Sequence, residues 1–117
     1  MAAGVDRGPG LTRGLDFPSM WIGWIELDFL LGDVHSLKEK RSVVRPIVAE
    51  MQRKFSVSAA EVDHLDLHRR ASVGASVVAA DAAHVSEILD RVERQGAARP
   101  EVQLVGARRR VIRADDI

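Results

Sequence analysis

Two segments with the 3.6-residue apolar period of amphipathic helices stand among four segments with the two-residue alternation of strands. They follow the order strand, helix, strand, strand, helix, strand, which predicts an α+β fold, the ferredoxin-like plait (βαββαβ). In that arrangement a four-stranded antiparallel sheet carries both helices on one face, and its first and third strands are central neighbours. Size agrees with the prediction. At 117 residues and 46% hydrophobic composition, the chain has enough apolar side chains for one core without metals or disulfides.

Residues 1–19 contain four glycines and two prolines and show no period, so they read as a disordered extension ahead of a domain spanning 20–113. Met20 opens directly onto a strand and reads as an alternative start of the chain. Trp21 to Leu31 alternates Gly23, Ile25, Leu27 and Phe29 against Ile22, Trp24, Glu26 and Asp28, which marks a central strand with one apolar and one mixed face. Ser36, with Glu39 three residues on, has the form of a helix N-cap and capping box. The helix that follows carries Leu37, Val44, Ile47, Val48, Met51 and Phe55 on one stripe. Pro46 interrupts it at a cost of about 3 kcal/mol, yet the stripe keeps its phase on both sides, which predicts one kinked helix.

Ser56 to Val62 reads as a short strand, Asp63 to His68 as a polar connection, and Arg69 to Ala80 as a strand with Ala71, Val73, Ala75, Val77 and Ala79 on its apolar face. Asp81 is placed to cap a second helix that runs to about Gln95 on an apolar stripe of Val85, Ile88, Leu89 and Val92, with Gly96 expected to end it. Glu101 to Arg113 supplies the last strand, and residues 114–117 are expected to fray.

The chain carries 17 basic and 17 acidic residues, so net charge gives no general affinity for nucleic acid. Any anion binding has to be local. Lys38, Arg41, Arg45 and Gln52 fall along one flank of the first helix, with Lys40 and Lys54 near the other. A second basic cluster comprises Arg108, Arg109, Arg110 and Arg113. Cysteine is absent, which excludes disulfides, thiol catalysis and thiolate metal sites. No apolar run approaches the roughly 20 residues that span a bilayer, and no basic-then-apolar leader opens the chain. A cytoplasmic protein without membrane association is the expectation.

The run from Ser36 to Arg45, SLKEKRSVVR, continuing to Lys54-Phe55-Ser56-Val57-Ser58-Ala59-Ala60-Glu61, resembles the hallmark of the YlxP-like family of small bacterial proteins, a domain of unknown function. The resemblance extends to the opening strand, to Arg70-Ala71-Ser72-Val73-Gly74 and to the second helix, covering about Met20 to Arg113. It implies a ferredoxin-like fold. Such proteins are often encoded beside translation factors and a ribosome-binding factor, which implies a role in translation or ribosome maturation. No catalytic residue comes with the resemblance. The chain departs from the family pattern before the third strand, where His68 and Arg69 stand in place of an aromatic and a glutamine.

Three groups of residues carry functional expectations. The first is an RNA or ribosomal-particle contact through Lys38, Arg41, Arg45, Arg108 and Arg110, with Trp24 as a stacking surface. Contact through the sheet is disfavoured, because the third strand presents Ser72, Gly74 and Ser76 where RNA-recognition sheets present aromatics, and Glu26 and Asp28 repel phosphate. A solvated charged face is the plain alternative for the basic flank. The second is His64, Asp66 and His68, whose donors suit a metal only on a helix, whereas a loop is expected there. No metal or cofactor is expected.

The third is the mixed sheet face of Ile22, Trp24 and Leu30, whose apolar exposure points to a homo-oligomer interface. On it, Glu26 and Asp28 are expected to meet Arg70 or the terminal arginines. Ser72, Ser76, Asp66 and His68 form no recognised nucleophilic motif, and an enzyme is not expected. The reading is a non-enzymatic RNA- or ribosome-binding factor. The alternative is a small homo-oligomeric module that binds a protein or metabolite.

Overall fold

The computed structural model describes residues 19–117, so all but the last residue of the extension 1–19 lies outside the described residues. Its elements are β1 (Trp21–Leu31), α1 (Leu37–Phe55), β2 (Ser58–Asp63), β3 (Arg70–Ala79), α2 (Ala82–Ala97) and β4 (Val102–Arg113). The sheet order is β2-β3-β1-β4, every pairing is antiparallel, and the fold is the ferredoxin-like plait.

Alternation along β1 and β3 builds the core. Ile25, Leu27, Phe29 and Leu31 of β1 and Ala71, Val73, Ala75 and Val77 of β3 are buried against both helices. Aligned opposite each other in the register, large residues on β1 face small ones on β3, as in Phe29 with Ala71 and Ile25 with Ala75. The bulk of β1 thus has room beneath α1 and α2. Gly23 serves the same end, since a Cβ there would lie 2.2 Å from Val85 Cγ1 of α2.

Ser36 caps α1, accepting a hydrogen bond from Glu39 N at 3.1 Å, while Glu39 Oε1 reaches back to His35 N at 2.7 Å. The return bond of the box thus goes one residue further upstream than the usual one. The helix passes through Pro46 as one element, and its buried column is Lys40, Val44, Ile47 and Met51. Leu37, Val48 and Phe55 of the expected stripe are only half-buried. Lys40, expected on a charged flank, instead heads the buried column at 1% exposure.

Asp81 caps α2 by accepting from His84 N at 2.8 Å. The expectation that Gly96 ends this helix is corrected: α2 continues to Ala97, and Gly96 is buried inside it. Packing explains the glycine, because a Cβ there would lie 2.9 Å from Leu27 Cδ1 and 3.1 Å from Phe29 Cζ. The final residues, expected to fray, include a 3-10 turn over Ala114–Asp116, whose first N–H bonds Met20 O at 2.8 Å.

Two irregularities shape the sheet edges. Phe29 pairs with Leu104 whereas Asp28 pairs with Gly106, so Val105 is an extra residue in β4. A matching shift between Glu61 and Asp63 leaves Val62 extra in β2. Both valines are at least half exposed. Among the described residues, no helix is long and apolar enough to cross a membrane.

Candidate functional site

The sheet separates the two basic clusters. Arg109 of β4 points to the helix side, where it bonds Asp90 at 2.7 Å and Glu93 at 2.8 Å on α2. Strand alternation therefore sends Arg108 and Arg110 to the open face, opposite the layer that carries Lys38, Arg41 and Arg45. The five candidate phosphate ligands form two sites, not one.

On the open face, Arg108 is committed. Its Nη2 lies 2.7 Å and its Nε 3.0 Å from Glu26 Oε1, and its guanidinium stands 5.7 Å from the centre of the Trp24 ring. Hydrogen bonding to Glu26, with the charge of that carboxylate, raises the arginine pKa above its ordinary value. The expected pairing of Glu26 with a terminal arginine thus occurs within one chain, across β1 and β4. Asp28 accepts a hydrogen bond from Ser72 Oγ, so this serine hydroxyl is engaged by a structural neighbour. Arg110 stands opposite Trp24 in the register and makes no ion pair among the described residues.

Ile22, Trp24 and Leu30 share this open face. Trp24 and Leu30 are just over one-third exposed and Ile22 is half-buried. Beside Trp24 the sheet is hollowed where β3 and β2 carry Gly74, Ser76, Ser58 and Ala60, giving a recess of about 390 Å³ bounded by Val62 on the far side.

On the helix layer, the flank of α1 faces the outer edge of β2. Gln52 Nε2 donates to Ala59 O of that strand at 3.0 Å. Lys38, Arg41 and Arg45 precede it along the helix, all exposed and all without an ion pair among the described residues. Among the described residues, most of the other lysines and arginines are paired. Arg53, Lys54 and Arg99 share Glu50, Arg91 meets Glu87, Arg99 also meets Glu101, and Arg113 meets Asp115. Three consecutive cations on one helical stripe are left to solvent.

Beneath this flank lies the feature that sequence reasoning missed. Lys40 Nζ donates to His64 O at 2.6 Å and lies 2.6 Å from Glu61 Oε2. Glu61 Oε2 is buried but receives no well-angled hydrogen bond, so the contact is an ion pair. The sequence signal was available: Lys40 is four residues before Val44 and seven before Ile47, in phase with the stripe. Glu61, on the helix-facing side of β2, was the partner to seek.

His64, Asp66 and His68 occupy the loop between β2 and β3. His64 has φ 59 and receives Leu67 N on its carbonyl at 3.1 Å, while Asp66 and His68 are exposed. Among the described residues no group of three histidine or carboxylate side chains is placed to hold a metal ion.

The geometry meets two likenesses to known proteins. Over 71 residues the chain is 37% identical to the "Uncharacterized protein YlxP" of Bacillus subtilis (strain 168), a stretch that covers 61% of this chain and 77% of that protein. Residues 22–109 match the family described as "Protein of unknown function (DUF503)". The matched span runs from β1 to the arginines of β4 and takes in both helices, so the chain belongs to the DUF503 family of proteins of unknown function.

Proposed function

We propose that this protein is a non-enzymatic RNA-binding factor acting in translation or ribosome maturation in the cytoplasm, and that it contacts RNA through the α1 flank. The observation that carries this reading is the stripe of Lys38, Arg41 and Arg45, three exposed cations on one helix flank without acidic partners among the described residues, where most of the other cations are paired. At about 1.5 Å of rise per residue the stripe is about 10 Å long, enough to meet two neighbouring phosphates. Phosphate contacts of this kind set affinity and carry no sequence information.

The test is the salt dependence of binding to single-stranded RNA. Replacing Lys38, Arg41 and Arg45 together by alanine weakens binding across all sequences and lowers the slope of log affinity against log salt by about 2. Unchanged affinity, or no wild-type binding at low salt, rejects the reading.

A second reading attaches to the open face. Trp24 projects beside a recess lined by small residues and Val62, with the neighbouring pair Ile22 and Val78 next along the same face. A second copy turned about a two-fold axis offers its own Trp24 to that recess and receives the first in return, the reciprocal fit of a homodimer.

A further inference from the structure

Between α1 and the outer edge of β2 lies a hollow of about 320 Å³, at the small end of the roughly 300–1,000 Å³ typical of small-ligand sites. Val44 and Val48 are its buried and half-buried apolar lining, and the exposed Ala49, Arg41 and Arg45 line its outer part. Two further polar side chains, Gln52 and Glu61, line it, and each is half used. Gln52 spends Nε2 on Ala59 O, leaving its own Oε1 as an acceptor. Glu61 holds Lys40 with Oε2, leaving Oε1 without a donor among the described residues. The charge of Glu61 is offset from below by Lys40, so the rim arginines dominate the field over the hollow.

A ligand that suits this lining has an apolar body, two donors for the two free acceptors and an anionic group near the arginines. Among the four RNA bases, only guanine presents two neighbouring donors, N1–H and the N2 amino group, on its Watson–Crick edge. Uracil offers one N–H there, and adenine and cytosine one amino group beside acceptors. Single-stranded RNA can splay a base out to be read on that edge. We infer that the hollow seats a guanine base of single-stranded RNA, with Glu61 and Gln52 accepting from its donor edge and Arg41 and Arg45 holding the flanking phosphates. The inference rests on the reading of the α1 flank as an RNA contact and adds a base preference to it.

The role of Lys40 follows. It holds the Glu61 carboxylate from beneath, while the Ala59 carbonyl holds the Gln52 amide nitrogen.

The test compares hexauridylate with the same strand carrying one central guanosine, adenosine or cytidine, by fluorescence anisotropy on the full chain. Wild-type protein binds the guanosine strand about tenfold tighter than hexauridylate. Glu61→Gln and, separately, Ala49→Met each abolish that preference and leave hexauridylate affinity in place. Ala49 is exposed, so methionine there fills the hollow without entering the core, and thermal melting confirms that this variant is folded even if Glu61→Gln is not. Equal wild-type affinity for all four strands, a preference for adenosine or cytidine, or a guanosine preference that survives Ala49→Met overturns the inference and leaves the phosphate contact standing. Absence of binding to every strand at low salt rejects both.

Discussion

Lys40 Nζ lies 2.6 Å from Glu61 Oε2, with the lysine side chain 2% exposed and the glutamate 19% exposed. The pair ties the first turns of α1 to the edge strand β2, and the same ammonium holds the carbonyl of His64 at the left-handed turn that leaves the strand. One buried cation thus positions a helix, a strand edge and a loop.

Removing one partner leaves the other charge in a poorly hydrated place. Lys40→Met is expected to destabilise the protein by about 3 kcal/mol, at the lower end for buried pairs because Glu61 reaches solvent. Replacing Lys40 with methionine and Glu61 with leucine together recovers most of that loss. Urea unfolding of the single and double variants at neutral pH measures both outcomes, and a double variant no more stable than the single one contradicts the account.

Glu50 predicts a pH dependence. Partial burial pushes its pKa up, but a hydrogen bond from Gln95 and the charges of Lys54 and Arg99 outweigh that and hold it below the ordinary 4.5. A depressed carboxylate stabilises the fold above its unfolded pKa and loses that contribution as pH falls through the folded value. Glu50→Gln should therefore be less stable than wild type at pH 7, with the difference shrinking as pH drops below about 4.5. Stability curves at several pH values check the sign.

Gly96→Ala sets two effects against each other. Alanine gains about 1 kcal/mol of helix propensity, but its Cβ would meet Leu27 and the rigid ring of Phe29, both fully buried. Overpacking costs about 1–3 kcal/mol, so the variant is expected to lose about 1 kcal/mol net, read as a lowered melting temperature. A stabilised variant means that the core yields more than its burial indicates.

Trp24 tests the open face. If two copies pair there, wild type has the native mass of a dimer and Trp24→Glu that of a folded monomer, by light scattering with circular dichroism as the control for folding. A wild-type monomer at all concentrations ends the homodimer reading.

Element order, both N-caps and the two sheet faces were legible in the chain, because the periods of 3.6 and 2 and the capping residues Ser36 and Asp81 act locally. Gly96 was misread because a glycine near a helix end is locally indistinguishable from one that makes room for a neighbouring strand. The cationic stripe of Lys38, Arg41 and Arg45 was also visible, since it too follows the helical period. By itself, then, the sequence determined the plait, the composition of each face and the place of the α1 flank.

Tertiary structure decided which charges are spent. Lys40 is 21 residues from Glu61, and Glu26 is 82 residues from Arg108, separations that no local period encodes. The sheet register turns Arg109 toward α2 and its neighbours Arg108 and Arg110 to the opposite face, away from the α1 flank. Long-range pairing let Lys40 leave solvent, because a charge taken from water needs a partner that only the folded chain brings near; it tied the still-exposed Arg108 to Glu26 and left Lys38, Arg41 and Arg45 exposed beside the edge of β2.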